Sequence, residues 1–171
     1  MPIVNIPIVN YKPFYIQYGE LTTAKDTKAE WGMVAKTNPY PLLPTPKDTY
    51  NNDWKDEDGD DEYTAHLHYK AFEMEVEFYM KAVDGTGTTA AADLYAKARD
   101  FFTAIKEGTF KVYDSYTKIG FQQVRYAGSD FGDNTFKERK GTARAMFKVK
   151  FKVNDPTTVM TMNQGAIVEA S

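Results

Sequence analysis

Phe72-Glu-Met-Glu-Val-Glu-Phe-Tyr-Met-Lys81 is the stretch whose reading decides the fold. Phe72, Met74, Val76, Phe78 and Met80 fall on one side of an extended chain, and Glu73, Glu75, Glu77, Tyr79 and Lys81 on the other. Such alternation, with aromatic and β-branched members, is what a half-buried strand requires. Wound as a helix, the same residues would scatter apolar groups around the whole cylinder. A second stretch answers it, in which Ala145, Phe147, Val149, Phe151 and Val153 alternate with Arg144, Lys148, Lys150 and Lys152. Laid antiparallel, Glu73, Glu75 and Glu77 come opposite Lys152, Lys150 and Lys148, with both apolar faces on one side. Each exposed pair contributes only about 0.2–1 kcal/mol. The larger effect is on register, because a slip by one residue would turn the charges into the core. The two stretches are expected to be sheet neighbours; two separate amphipathic strands are the alternative.

The 171 residues suffice for one domain with a real core, and 42% hydrophobic with 26% charged residues is ordinary globular composition. The chain contains no cysteine, which excludes a disulfide framework and a thiolate metal site. No apolar run approaches membrane-spanning length. The opening residues have no basic region, and Pro2 and Pro7 interrupt the apolar run, so no cleaved export signal is expected.

The expected fold is mainly β: an antiparallel β-sandwich or partly open barrel with one packed helix at about residues 89–106 and extended loops and arms. Residues 1–18 are rich in Ile, Val and aromatics but carry Pro2, Pro7 and Pro13, which cannot donate to a ladder. They suit either an edge strand or an arm laid on a neighbouring subunit. Residues 36–62 form a long Pro-rich and acidic loop, residues 63–155 the core, and residues 156–171 a weakly apolar tail, extended along a partner or loose. Residues 63–71 are expected to enter the sheet, with a β-bulge near Ala71 where the apolar parity flips. For the helix, Thr88 or Thr89 serves as cap and Asp93 lies near the positive end; Leu94, Ala98, Phe101, Phe102 and Ile105 form one apolar stripe, and Gly108 follows its end. Strands are expected around Phe110 to Tyr113 and Ile119 to Tyr126, with a loop from Gly128.

Residues 53–62, Asp-Trp-Lys-Asp-Glu-Asp-Gly-Asp-Asp-Glu, hold seven acids against Lys55, a net −6; with the chain at −3, the remainder is +3. An EF-hand loop does not fit. With Gly59 at its sixth position, Trp54 would be the first ligand and Ala65 the twelfth. A solvated acidic turn or an electrostatic contact surface are the readings that stand. His66 and His68 share a strand face, with no third ligand at metal-site spacing. Ser115, Ser129 and Ser171 lie in no nucleophile elbow, and two neighbouring histidines leave a triad without base and orienter. The Gly85 to Thr89 run lacks the ending of a phosphate loop. The residues therefore argue against an enzyme, and no cofactor, metal, specific nucleic acid or membrane partner is expected.

The order of elements over residues 62–156, ending in Phe147-Lys-Val-Lys-Phe-Lys-Val-Asn-Asp-Pro156, resembles the N-terminal domain of the distal tail proteins of long-tailed bacteriophages, and is similar to the related tail-tube proteins. The resemblance implies a virion structural protein assembled in the host cytoplasm, a hexameric ring between tail tube and baseplate. Its implied partners are copies of itself, the tube, the hub or adhesin, and the tape measure. A tube or tail-completion ring is the alternative within that class. Many distal tail proteins carry a second, carbohydrate-module-like domain; only sixteen residues follow Asp155, so receptor binding through such a domain is not implied. Candidate assembly contacts are Ile3, Val4, Ile8, Val9, Tyr11 and Phe14 in the arm, Tyr40, Leu42 and Leu43 in the Pro-rich loop, and Asp56, Asp58 and Asp60 in the acidic run. The competing class is a monomeric β-sandwich module whose aromatics line a ligand pocket.

Overall fold

The structure, a computed structural model, describes residues 12–37, 44–49, 51–53, 60–62, 66–85, 87–131 and 137–170, with backbone alone at 37, 51–53, 60–62 and 137–139. In chain order these form β1 (Phe14–Tyr18), β2 (Lys25–Asp26), helix α1 (Thr27–Trp31), β3 (Met33–Thr37), β4 (Asn51–Asp53), β5 (Asp60–Glu62) and β6 (Phe72–Val83). Helix α2 (Ala90–Ile105) follows, then β7 (Phe110–Asp114), β8 (Ile119–Asp130), β9 (Lys137–Arg139), β10 (Thr142–Val153), β11 (Met160–Asn163) and β12 (Ala166–Glu169).

Strands β6 and β10 pair antiparallel over twelve residues each, and the register sets Glu73, Glu75 and Glu77 opposite Lys152, Lys150 and Lys148. That is the register the charge pattern demanded. Around this pair one antiparallel sheet runs β2-β1-β7-β8-β10-β6-β3, with β9 beside the start of β10 and the β11–β12 hairpin beside β8. Of the two architectures open to the sequence, the partly open barrel is the nearer, for the sheet curls into a half-barrel. Two irregularities in β8 bend it. Lys111 opposes both Gln122 and Gln123, the latter at φ +51°, and a second register shift falls between the Gly128 and Tyr126 pairs. An extra residue in one strand increases local twist and turns the sheet.

Helix α2 packs on the concave side. Thr89 accepts from Ala92 N at 3.2 Å and Asp84 from Ala90 N at 2.7 Å, which satisfies donors that a helix start leaves open. Its buried stripe is Ala90, Leu94, Ala98, Phe101 and Ile105. Phe101 meets Trp31 and Phe78 edge-on, with ring centroids 5.3 and 5.6 Å away, and Phe78 in turn meets Phe14. Phe102 is only partly buried and bridges Tyr126, Phe131 and Phe147.

Several sequence expectations are corrected. The parity change near Ala71 needs no bulge: β6 begins at Phe72, and among the described residues just before it only Tyr69 makes a sheet bridge, with Pro46. The loop from Gly128 starts later, since β8 continues to Asp130. The C-terminal residues are not a loose tail. They form the β11–β12 hairpin about a Gln164–Gly165 turn with φ +47° and +82°, the left-handed pair a two-residue hairpin turn requires. Met160 and Ile167 are buried with Tyr113 in a small second core. The Ile167 backbone ties the hairpin down, donating to Gln17 Oε1 at 2.8 Å and accepting from Lys111 Nζ at 3.1 Å.

The Asn154-Asp155-Pro156 stop has a physical basis. Asp155 accepts from the Thr157 and Thr158 amides and from Gln122 Nε2 at 2.8 Å, so one carboxylate turns the chain and fastens it to β8. Burial raises its pKa, but the bonds from Thr158, Gln122 and the two amides outweigh burial and hold it at about 2.

Candidate assembly surface

With α2 filling the concave side, the other face of β6 and β10 is left to solvent. It is a set of rungs. Glu73 lies opposite Lys152, whose β8 neighbour is Arg125; Glu75 lies opposite Lys150; Glu77 lies opposite Lys148, whose β8 neighbour is Asp130. Two ion pairs stitch it, Lys148 to Glu75 at 2.7 Å and Lys36 of β3 to Glu77 at 3.4 Å. The Glu75 hydrogen bond and charge raise the Lys148 pKa. At the far end the alternation of sign stops: Lys81 lies opposite Arg144, and Arg144 lies opposite Lys137 of β9.

The sheet ends differ in what they present. Strand β2 is two residues long and runs straight into α1, whose N-cap Asp26 accepts from Lys28 N. Strand β3 is longer, and among the described residues it pairs only with β6. An unpaired strand edge is a template for another chain's backbone, and Lys36 on it is the kind of charge that makes such pairing selective.

The expected contact residues divide sharply. Ile3, Val4, Ile8, Val9, Tyr11, Tyr40, Leu42, Leu43, Asp56 and Asp58 lie outside the described residues. Asp60 is in β5, with Asp53 of β4 as its Cα partner. Phe14 is fully buried in the chain's own core against Phe78, so its ring is a packing element here. The end of the Pro-rich segment folds back on the sheet entrance: Lys47 N donates to the His68 carbonyl at 2.6 Å and Lys70 N to that of Thr45 at 2.7 Å.

Residues 31–35 read as a short strand in the sequence, close to β3, but its place at the sheet edge and the basic rung were missed. The first was hidden because edge position depends on the pairing order of distant strands, which local alternation does not carry. The second was legible in principle once the β6–β10 register was fixed, since that register alone puts Lys81 against Arg144.

The chemistry available elsewhere is limited. A shallow cleft of about 320 Å³ lies beside the β8 bulge, lined by Gln17, Leu21, Phe110, Lys111, Gln122 and Gln123. It offers amides, the Lys111 ammonium, the Glu20 carboxylate and the Thr109 hydroxyl, and no paired carboxylates or nucleophile with its base. Among the described residues no group of three His, Cys, Asp or Glu side chains is placed to hold a metal ion. No helix among them is long and apolar enough to cross a membrane.

Neither a protein-family model nor a curated protein matches the chain. Among solved structures, it is similar to the Dit (gp 19.1) protein of phage SPP1, described as a paradigm of the hub adsorption apparatus in phages infecting Gram-positive bacteria. Identity is 16% and the TM-score 0.55, over 87% of this chain and 52% of that one. The chain therefore spans about half the length of that protein. At this identity the likeness is one of fold.

Proposed function

We propose, from a distal-tail-protein-like fold, that this protein is a structural component of a phage tail and forms a hexameric ring at the junction of tail tube and baseplate. The observation that supports this most is the fold likeness to the SPP1 hub protein over 87% of the chain, a larger share than the residues 62–156 whose sequence pattern resembled a distal tail protein. It favours a distal ring over a tube or completion ring, and a structural role over catalysis. Its partners are then further copies of the chain and the adjoining tube, hub and tape-measure proteins, and its place is the virion.

Physical features accord with the reading. A ring is built from one contact between two different patches, repeated by rotation until it closes. The chain has patches of unlike character to offer: the β3 edge, a charged sheet face, an acidic run and an apolar N-terminal arm. Size-exclusion chromatography with light scattering, followed by negative-stain imaging, tests it directly. The expected result is a ring with a mass near that of six 19.4 kDa subunits. A strict monomer at high concentration that is also absent from purified tails would overturn the reading and favour a monomeric binding module. Removal of residues 1–10 is expected to leave the subunit folded while abolishing ring formation, because an arm that orders on contact serves assembly.

A further inference from the structure

We infer that the corner of the sheet built by Lys81 and Arg144 receives the acidic run, residues 53–62, of a second copy of this chain. The inference rests on the ring reading above and names the two surfaces that would meet.

Along the β6–β10 ladder, three consecutive rungs set a glutamate against a lysine, and the sheet gains both register and charge balance. At the last charged rung the rule is broken. Lys81 stands opposite Arg144, and β9 adds Lys137 as the next Cα partner in the same row. Like charges directly opposite one another destabilise a strand pair. Both Lys81 and Arg144 are exposed, and among the described residues neither enters an ion pair. Val83, on the same face of β6 two residues further on, is 60% exposed. Among the described residues no carboxylate pairs with these two cations, and with the uncovered valine they suit an anionic protein surface.

The chain itself contains the complement. Residues 53–62 hold a net −6, while the rest of the chain is net +3. The two ends of the run lie in β4 and β5, which pair with each other, Asp53 the Cα partner of Asp60, in a sheet separate from the main one. A contact from the acidic run of one copy to the corner of the next joins two different surfaces, the type of contact that closes rings. Oppositely charged patches also speed encounter and reject wrong registers.

Charge reversal in trans tests this. One variant carries Lys81→Glu with Arg144→Glu, and the other Asp56→Lys, Glu57→Lys, Asp58→Lys and Asp60→Lys, which takes residues 53–62 from a net −6 to +2; circular dichroism checks that each stays folded. Each alone is expected to lose the ring, and an equimolar mixture to regain it, because each interface then meets a complementary partner. Cross-linking provides a second readout that does not depend on the reversed variants folding. The chain has no cysteine of its own, so mixing an Asp58→Cys with an Arg144→Cys variant should yield a disulfide-linked dimer. Rings that persist in both reversed variants, with no dimer, would overturn this contact and leave the ring reading intact. Rescue by combining all six substitutions on one chain, without rescue in the mixture, would place the contact within one copy and overturn the inference. Absence of any ring from the wild-type chain would overturn both.

Discussion

The Glu75 carboxylate pairs not with Lys150, the residue opposite it on β10, but with Lys148 one rung along, at 2.7 Å. Diagonal neighbours on a twisted antiparallel pair come within reach of long side chains, and the strand twist favours one diagonal over the other. Glu77, left by Lys148, turns instead to Lys36 of β3. The ladder is thus sheared by one step, and it ties three strands together rather than two.

Coupling in that ladder should follow the diagonal. Glu75→Lys is expected to lower stability by up to ~1 kcal/mol, since the pair is partly exposed. Adding Lys148→Glu should recover more of the loss than adding Lys150→Glu, as read by urea midpoints in the two double-mutant cycles. Equal recovery would mean that the diagonal pair has no special weight in solution.

The adjacent phenylalanines of α2 should behave differently. Phe101 is completely buried among Trp31, Phe78 and Phe102, and its truncation to alanine is expected to cost about 3–5 kcal/mol. Phe102 lies at the margin of the core, and Phe102→Ala should cost clearly less. Chemical denaturation of both variants decides the order.

Among the described glycines, Gly120 is the one at which an added Cβ would run into backbone. A Cβ there would meet the Val112 carbonyl oxygen at 2.8 Å and Met160 and Tyr113 atoms at 3.0 Å, where β7, β8 and β11 converge. Gly120→Ala is expected to cost roughly 1–3 kcal/mol through overpacking. Limited proteolysis should then cut the C-terminal hairpin sooner. Gly19→Ala is the comparison: at φ +56° it is strained, but nothing lies within 4 Å. Loss of about 1 kcal/mol and no hairpin release are expected there.

Acid should act through Asp155. Its carboxyl is held at about 2 against an ordinary 3.8, so its contribution is fully present above pH ~4 and lost as pH falls toward 2. Asp155→Asn should therefore reduce stability at neutral pH and flatten the decline between pH 4 and 2. An unchanged decline in the variant would assign acid sensitivity to other carboxylates.

How far the sequence reached depends on the period of each signal. The β6–β10 register was legible, because the alternations at 72–81 and 143–153 carry opposite charges whose antiparallel match sets Glu73, Glu75 and Glu77 against Lys152, Lys150 and Lys148. That the two stretches are neighbours at all, and run for twelve residues each, came from the structure. Helix α2 was legible because cap, stripe and terminator agree over sixteen residues. The C-terminal hairpin was not read, although Gln164-Gly165 between Met160–Asn163 and Ala166–Glu169 is a turn signal. Strands of four residues give too little alternation to separate from a loose tail. Of the contact residues proposed from sequence, Phe14 illustrates the limit, since an aromatic near a chain end reads alike whether it packs inward or on a neighbour.

By itself the sequence determined the mainly β class, the register of the central strands, the packed helix, and the segregation of acid into residues 53–62. All of these are written in local period and charge sign. The tertiary structure alone decided that the strands make one curled sheet. That outcome turns on the bulges at Gln123 and Gly128, where one extra residue against its partner strand redirects everything after it. It also decided which face is left to water. Placing α2 on the concave side buries one side of β6 and β10, and so turns Lys81 and Arg144, sixty-three residues apart along the chain, into a single exposed corner.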